Sequence, residues 1–92
     1  MTRANIEDRL KRVVLDRLSG PLPVDALRDD TSLYGRGLGF SSLDLVSLLV
    51  AVEEAFDIFF EGDEMSAAAE TFGALKAAVE RKVHAGAAER DA

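Results

Sequence analysis

The chain has no cysteine and no tryptophan, one histidine, one tyrosine and only two prolines in 92 residues. Without cysteine, the polypeptide offers no disulfide framework, no thiolate metal site and no thiol nucleophile. One histidine, His84, is too few for a metal cluster. It lies near the end of the chain, far in sequence from the central serines, so a serine–histidine–acid triad has no support. Long apolar runs are also missing: the longest, residues 48–52, is far too short to span a bilayer. The first residues, MTRANIEDRLKR, carry charges where a secretory signal needs an apolar core. The expectation is a cytoplasmic chain without membrane insertion.

Basic residues are absent from one long segment. Residues 37–75 hold eight acids and no lysine or arginine, while the flanking segments are each one charge to the positive side, so the net charge of −6 comes from the middle. That distribution argues against nucleic acid or an anionic membrane as partner and for a basic protein surface. The acids do not form a calcium loop, because residues 57–64, DIFFEGDE, lack the alternating ligand pattern. Glu53 and Glu54 are adjacent on a helix and face apart, which makes them poor acid–base partners.

What remains is 48% apolar and 30% charged, the balance of a globular domain, at a length that fits one core. Ile6, Leu10, Val13, Val14 and Leu18 recur at helical spacing, with Thr2 or Asn5 available as a cap and the Ser19, Gly20, Pro21 run as a stop. Residues 20–41 lose periodicity and read as a long loop, broken by Pro21, Pro23, Gly35, Gly37 and Gly39 and anchored by Leu22, Val24, Leu27, Leu33, Tyr34 and Leu38. A second helix runs from the serines at 41 and 42 to about Phe56. A short one covers about 63–69, and Thr71 caps a last one that carries Phe72, Leu75, Ala78, Val79 and Val83 and stops at Gly86. No strand is predicted. The fold class is all-α: a small four-helix bundle of three longer helices and one short helix, with a long first loop. A single domain covers residues 1–86, and 87–92 form a frayed tail.

The second helix, SLDLVSLLVAVEEAFD, has little polar face. On a helical wheel with Ser42 at zero, Leu45, Leu48, Leu49, Val52, Ala55 and Phe56 fall between about 220° and 340°, a core-facing stripe. Leu43, Val46 and Val50 fall on the other side, at roughly 40° to 100°. Glu53, Glu54 and Asp57 flank that second strip. An apolar strip rimmed by carboxylates has the composition of a docking surface, the alternative being that the 20–41 loop folds over it. Ser41 and Ser42 stand at the positive end of the helix dipole. Either is a candidate N-cap, and either could carry an anionic ester.

The stretch LYGRGLGFSSLDLVSLLVAVEEAFDI resembles the centre of acyl carrier proteins (the free-standing, type II kind), whose signature is a Gly-x-Asp-Ser-Leu turn opening the second of four helices. Gly39, Phe40, Ser41, Ser42 and Leu43 align with that turn, EEAFDI with the acidic–Phe–acidic close of the helix, and TFGAL at 71–75 with the start of the last helix. The resemblance implies a non-enzymatic, monomeric carrier with 4′-phosphopantetheine, supplied by coenzyme A through a phosphopantetheinyl transferase, on Ser42. Ser41 is the alternative attachment point. The arm would supply the thiol that the chain lacks, holding acyl groups as thioesters. The resemblance also implies that Leu43, Asp44, Val46, Val50, Glu53, Glu54 and Asp57 meet basic docking surfaces on the transferase, an acyl or aminoacyl ligase and acyl-processing enzymes of fatty-acid, lipid or polyketide-type biosynthesis. The other readings are an aminoacyl or peptidyl carrier and an unmodified, carrier-like binding module. Three positions depart from the family pattern. Ser41 replaces the usual aspartate and Ser47 an often acidic residue, which points to a specialised carrier with dedicated enzymes. Phe59 stands beside Phe60, so one ring is expected in the core and the other on the surface near the cargo.

Overall fold

The computed structural model describes residues 3–17, 27–35 and 37–91, with the side chains of residues 3 and 85–91 left aside. Its helices are α1 (Arg3–Asp16), α2 (Ser42–Phe56), α3 (Gly62–Ala68) and α4 (Phe72–Asp91). There is no strand among the described residues, only isolated bridges that pair Ser32 with Thr71 and Tyr34 with Phe40. The all-α, four-helix expectation holds.

Apolar periodicity sets the packing. Ile6, Leu10 and Val14 of α1, Leu48 and Val52 of α2, and Phe72, Leu75 and Val79 of α4 are fully buried, together with Leu33 and Phe60 from the connections. Each such side chain stabilises the fold by roughly 1.5–3 kcal/mol through burial. α1 packs against both α2 and α4, and α3 packs chiefly on α4. A carboxylate–ammonium pair between Glu64 of α3 and Lys82 of α4 (2.6 Å) reinforces the latter contact. Lys76 of α4 ties α1 to the first loop, lying 3.4 Å from Glu7 and 2.6 Å from Asp29.

Two helix limits differ from the sequence reading. Asn5 lies inside the first turn of α1 rather than capping it. The backbone of α4 passes Gly86 and continues to Asp91. One interior glycine costs a helix only about 1 kcal/mol, and Ala85, Ala87 and Ala88 around it are the best helix formers. Thr71 does cap α4, its hydroxyl accepting from the Ala74 N–H at 3.0 Å. Thr2, Leu18, Ser19, Gly20, Pro21, Leu22, Pro23 and Val24 lie outside the described residues.

The loop before α2 is pinned. Phe72 N–H donates to Thr31 O (2.9 Å), Gly73 N–H to Asp29 O (2.8 Å) and Leu33 N–H to Glu70 O (3.2 Å), so the start of α4 holds the strand-like piece around Ser32. The chain then doubles back, with Leu38 N–H on Ser32 O (2.9 Å) and Phe40 N–H on Leu33 O (3.1 Å). Gly37 permits this fold-back, because a Cβ there would lie 1.7 Å from the Ser32 carbonyl oxygen. Gly39, at φ +81°, takes a left-handed conformation that side chains disfavour. Buried Phe40 follows, and it fixes where the two serines begin α2.

Candidate functional site

The two serines play separate parts. Ser41 is extended (φ −79°, ψ 171°) and is the N-cap of α2. Its hydroxyl accepts from the Asp44 N–H, and the Asp44 carboxylate accepts from the Ser41 N–H, both at 3.1 Å. This is a reciprocal capping box, with aspartate in the place usually held by Glu or Gln. The Asp44 carboxyl is held below its ordinary value of 3.8, first by the Ser41 N–H that it accepts from and then by the nearby Ser41 hydroxyl. Ser42 is the first helical residue. It is exposed, and its hydroxyl has no hydrogen-bond partner among the described residues.

The opening turn of α2 also retains donors. Asp44 N–H is taken by the cap and Leu45 N–H by Ser41 O (2.9 Å), which leaves the N–H groups of Ser42 and Leu43 at the positive end of the helix dipole. An anion esterified to Ser42 would sit beside them, gaining roughly 0.3–1 kcal/mol from the dipole. The Asp44 carboxylate is folded back on Ser41.

Leu43, Val46 and Val50 are 78%, 51% and 43% exposed, so the described part of the first loop, residues 27–35 and 37–41, does not cover the strip. Glu54 and Asp57 are exposed around it, Asp57 as the left-handed C-cap (φ 54°) of α2. Glu53 also braces the turn that follows α2. Its carboxylate accepts from the Phe60 N–H at 2.8 Å and its carbonyl from the Ile58 N–H at 3.1 Å. Ser47, where the family pattern is often acidic, accepts from the Arg17 guanidinium at 2.9 Å, just past the end of α1. Phe60 is buried and Phe59 exposed, but Phe59 follows the C-terminal end of α2, whereas Ser42 stands at the other end.

Sequence reasoning missed one feature beside Ser42. A shallow, mostly apolar groove of about 230 Å³ opens between α2 and α3, lined by Ser42, Leu45, Val46, Leu49, Met65, Ser66 and Ala69. Its α3 wall could have been sought in Met65, a flexible apolar side chain that a short helix leaves half-buried. Among the described residues no His, Cys, Asp or Glu cluster could hold a metal, and no helix is long and apolar enough to cross a membrane. His84 is exposed on α4.

A helical domain that exposes a serine hydroxyl with no partner among the described residues, at a helix N-terminus, has the geometry to carry a covalently attached group. Comparison with known proteins gives the family. Residues 8–79 match the phosphopantetheine attachment site family, and the chain belongs to it. It is similar to the acyl carrier protein of Buchnera aphidicola subsp. Acyrthosiphon pisum (strain Tuc7), with 37% identity over 60 residues, covering 65% of this chain and 71% of that one. The acyl carrier protein of Sulfurovum sp. (strain NBC37-1) is 38% identical over 69 residues, 75% of this chain and 88% of its own. An aminoacyl carrier protein of Agrobacterium fabrum (strain C58 / ATCC 33970) is 40% identical over 57 residues, 62% of this chain and 64% of its own. The prosthetic group is therefore covalent 4′-phosphopantetheine, and the role is that of an acyl or aminoacyl carrier. The residues fit the group: an exposed hydroxyl, two backbone donors for its phosphate and an apolar groove alongside.

Proposed function

We propose that this protein is an acyl carrier whose arm is esterified to Ser42 and whose cargo is an acyl chain held as a thioester. The observation that carries the reading is the apolar groove of about 230 Å³ that begins at Ser42 itself. A slender hydrocarbon chain entering it gains about 0.8 kcal/mol per buried methylene, whereas a charged aminoacyl group gains nothing from such walls. Partners approach the strip of Leu43, Val46 and Val50, with Asp44, Glu53, Glu54 and Asp57 as its acidic surround. The setting is cytoplasmic lipid, fatty-acid or polyketide-type synthesis. Ser41 in place of aspartate, and Ser47 engaged by Arg17, favour dedicated partner enzymes.

The second reading, an aminoacyl carrier, is favoured by the likeness to the Agrobacterium fabrum protein. One experiment separates the two. The protein is converted with a broad-specificity transferase from coenzyme A carrying either an octanoyl or an alanyl group, and intact mass confirms one arm on each. Peptide mapping is expected to place the arm on Ser42. Octanoyl loading is expected to raise the melting temperature and to perturb Leu49 and Met65, while alanyl loading leaves both unchanged. Equal behaviour of the two forms would remove the support for acyl cargo. An arm on Ser41, or none at all, would overturn the site.

A further inference from the structure

We infer that Tyr34 is a binding residue for the prosthetic arm, placed at the Ser42 end of the groove where the pantetheine turns from the serine toward the α3 wall. This role rests on the proposed attachment at Ser42. Residues 32–34 bridge the two elements that bound this end of the groove. On one side Ser32 pairs with Thr71, and the Leu33 N–H donates to the Glu70 carbonyl at 3.2 Å, next to the groove-lining Ala69. On the other side Tyr34 pairs with Phe40, two residues before Ser42. The Phe40 N–H donates to Leu33 O (3.1 Å) and the Gly35 N–H to Phe40 O (3.3 Å). A bridge spacing of about 4.8 Å and two Cα steps of about 3.8 Å keep the Tyr34 Cα within about 12 Å of that of Ser42. Phosphopantetheine is about as long as four extended residues, roughly 14 Å, so Tyr34 is within its reach.

Tyr34 is 55% exposed, yet its backbone is fixed. The Ser32 hydroxyl (3.0 Å) and the Gly37 N–H (3.4 Å) both donate to its carbonyl. A lone exposed aromatic is ordinary, but this one has a tethered neighbour whose chemistry suits it. The arm offers paired methyl groups and two amides, and tyrosine offers an apolar ring with a hydroxyl at its edge. Gly35 and Gly39 flank the Tyr34–Phe40 pair, and a Cβ on Gly35 would meet nothing within 4 Å, so the space beside the ring is open. The direction of the groove favours Tyr34 over Leu43, the other exposed apolar residue beside Ser42. The α2 wall is formed by Leu45, Val46 and Leu49, and Leu43 lies about 120° round the helix from Leu49 at 100° per residue. An arm entering the groove turns away from Leu43 and toward residues 32–34. A ring on a fixed mount lowers the cost of ordering that arm and leaves Leu43 to partners.

The chain has one tyrosine and no tryptophan, so its intrinsic emission reports on Tyr34 alone. The full chain is compared without the arm, with the arm transferred from coenzyme A, and with an octanoyl group on the arm. Intact mass and peptide mapping fix the attachment point. The arm on Ser42 is expected to lower acrylamide quenching of the tyrosine emission about twofold, because contact covers an exposed ring. Nuclear Overhauser contacts are expected between the Tyr34 ring protons and the paired methyl groups of the arm. Tyr34→Phe should keep those contacts and the native rate of octanoyl thioester cleavage by hydroxylamine. Tyr34→Ala should raise that rate about threefold with the amide spectrum of the core unchanged, because the arm is less shielded from solvent. An arm mapped to Ser42 with unchanged quenching and no ring contacts, or a Tyr34→Ala thioester cleaved at the native rate, would overturn this role and leave the attachment standing. An arm mapped elsewhere would overturn both. Protection of the ring that needs bound transferase, and is equal with and without the arm, would assign Tyr34 to the partner contact instead.

Discussion

At the scale of single residues, Ser41 and Ser42 show how two identical side chains acquire different uses. The backbone decides. The extended conformation of Ser41 turns its hydroxyl back to the Asp44 N–H, and one residue later the helical conformation of Ser42 turns the same group outward. Ser42→Ala is therefore expected to change stability by no more than about 0.5 kcal/mol in urea unfolding while abolishing arm attachment in intact mass. Ser41→Ala should lose about 1 kcal/mol and still accept the arm. Ser41→Asp keeps a good cap, so helicity should be unchanged. If the missing aspartate governs recognition, attachment by a general-purpose transferase should quicken. The capping box has a pH signature. Its carboxyl has a folded pKa below the ordinary 3.8, so its contribution is complete above that value and is lost as pH falls through the lower folded value. Acid titrations of the native chain and of Asp44→Asn should differ at neutral pH and converge once the carboxyl is protonated.

At the scale of elements, α2 serves the core along one stripe and solvent along the other. Since Val50 is 43% exposed, Val50→Asp should fold normally by circular dichroism and weaken transferase binding at low and high salt alike. Glu54→Lys should slow association mainly at low salt. Glu53→Lys is a poorer probe of docking than its neighbour, because it also releases the Phe60 N–H. The seam between the first loop and α4 is tight enough to test directly. A Cβ on Gly73 would lie 2.7 Å from the Asp29 carbonyl oxygen, so Gly73→Ala is expected to cost about 1–3 kcal/mol in urea unfolding. Both limits of α2 were legible in the sequence, where a cap, an apolar period and an acidic close all agree. Which of the two serines caps α2 was not legible, because a difference of one residue in backbone conformation leaves no mark on residue type. Nor was the bracing role of Glu53, whose bond to Phe60 crosses a left-handed turn that only the folded chain defines. The end of α4 was misplaced because the glycine was weighed without the alanines beside it. The groove is made by two helices jointly, and no periodicity within either one announces it.

At the scale of the whole molecule, the acids of the middle segment and the bases of the flanks give the protein a long-range field. Association with a basic enzyme should accelerate as salt is lowered, with dissociation little affected. The bundle itself is unevenly braced. α1, α2 and α4 share buried leucine, valine and phenylalanine, whereas α3 is short, buries only Ala68 and rests chiefly on α4 through the Lys82 pair. Yet α3 and its C-cap residue supply the Met65, Ser66 and Ala69 wall of the groove. Local opening of a protein is easiest where the least apolar surface is lost, so α3 can separate from α2 at far smaller cost than global unfolding. Its amide hydrogens should exchange with deuterated solvent well before those of the other helices, and an octanoyl chain wedged against Met65 should slow them selectively. Exchange at this one short helix would then record, from within the carrier, whether it is travelling empty or loaded.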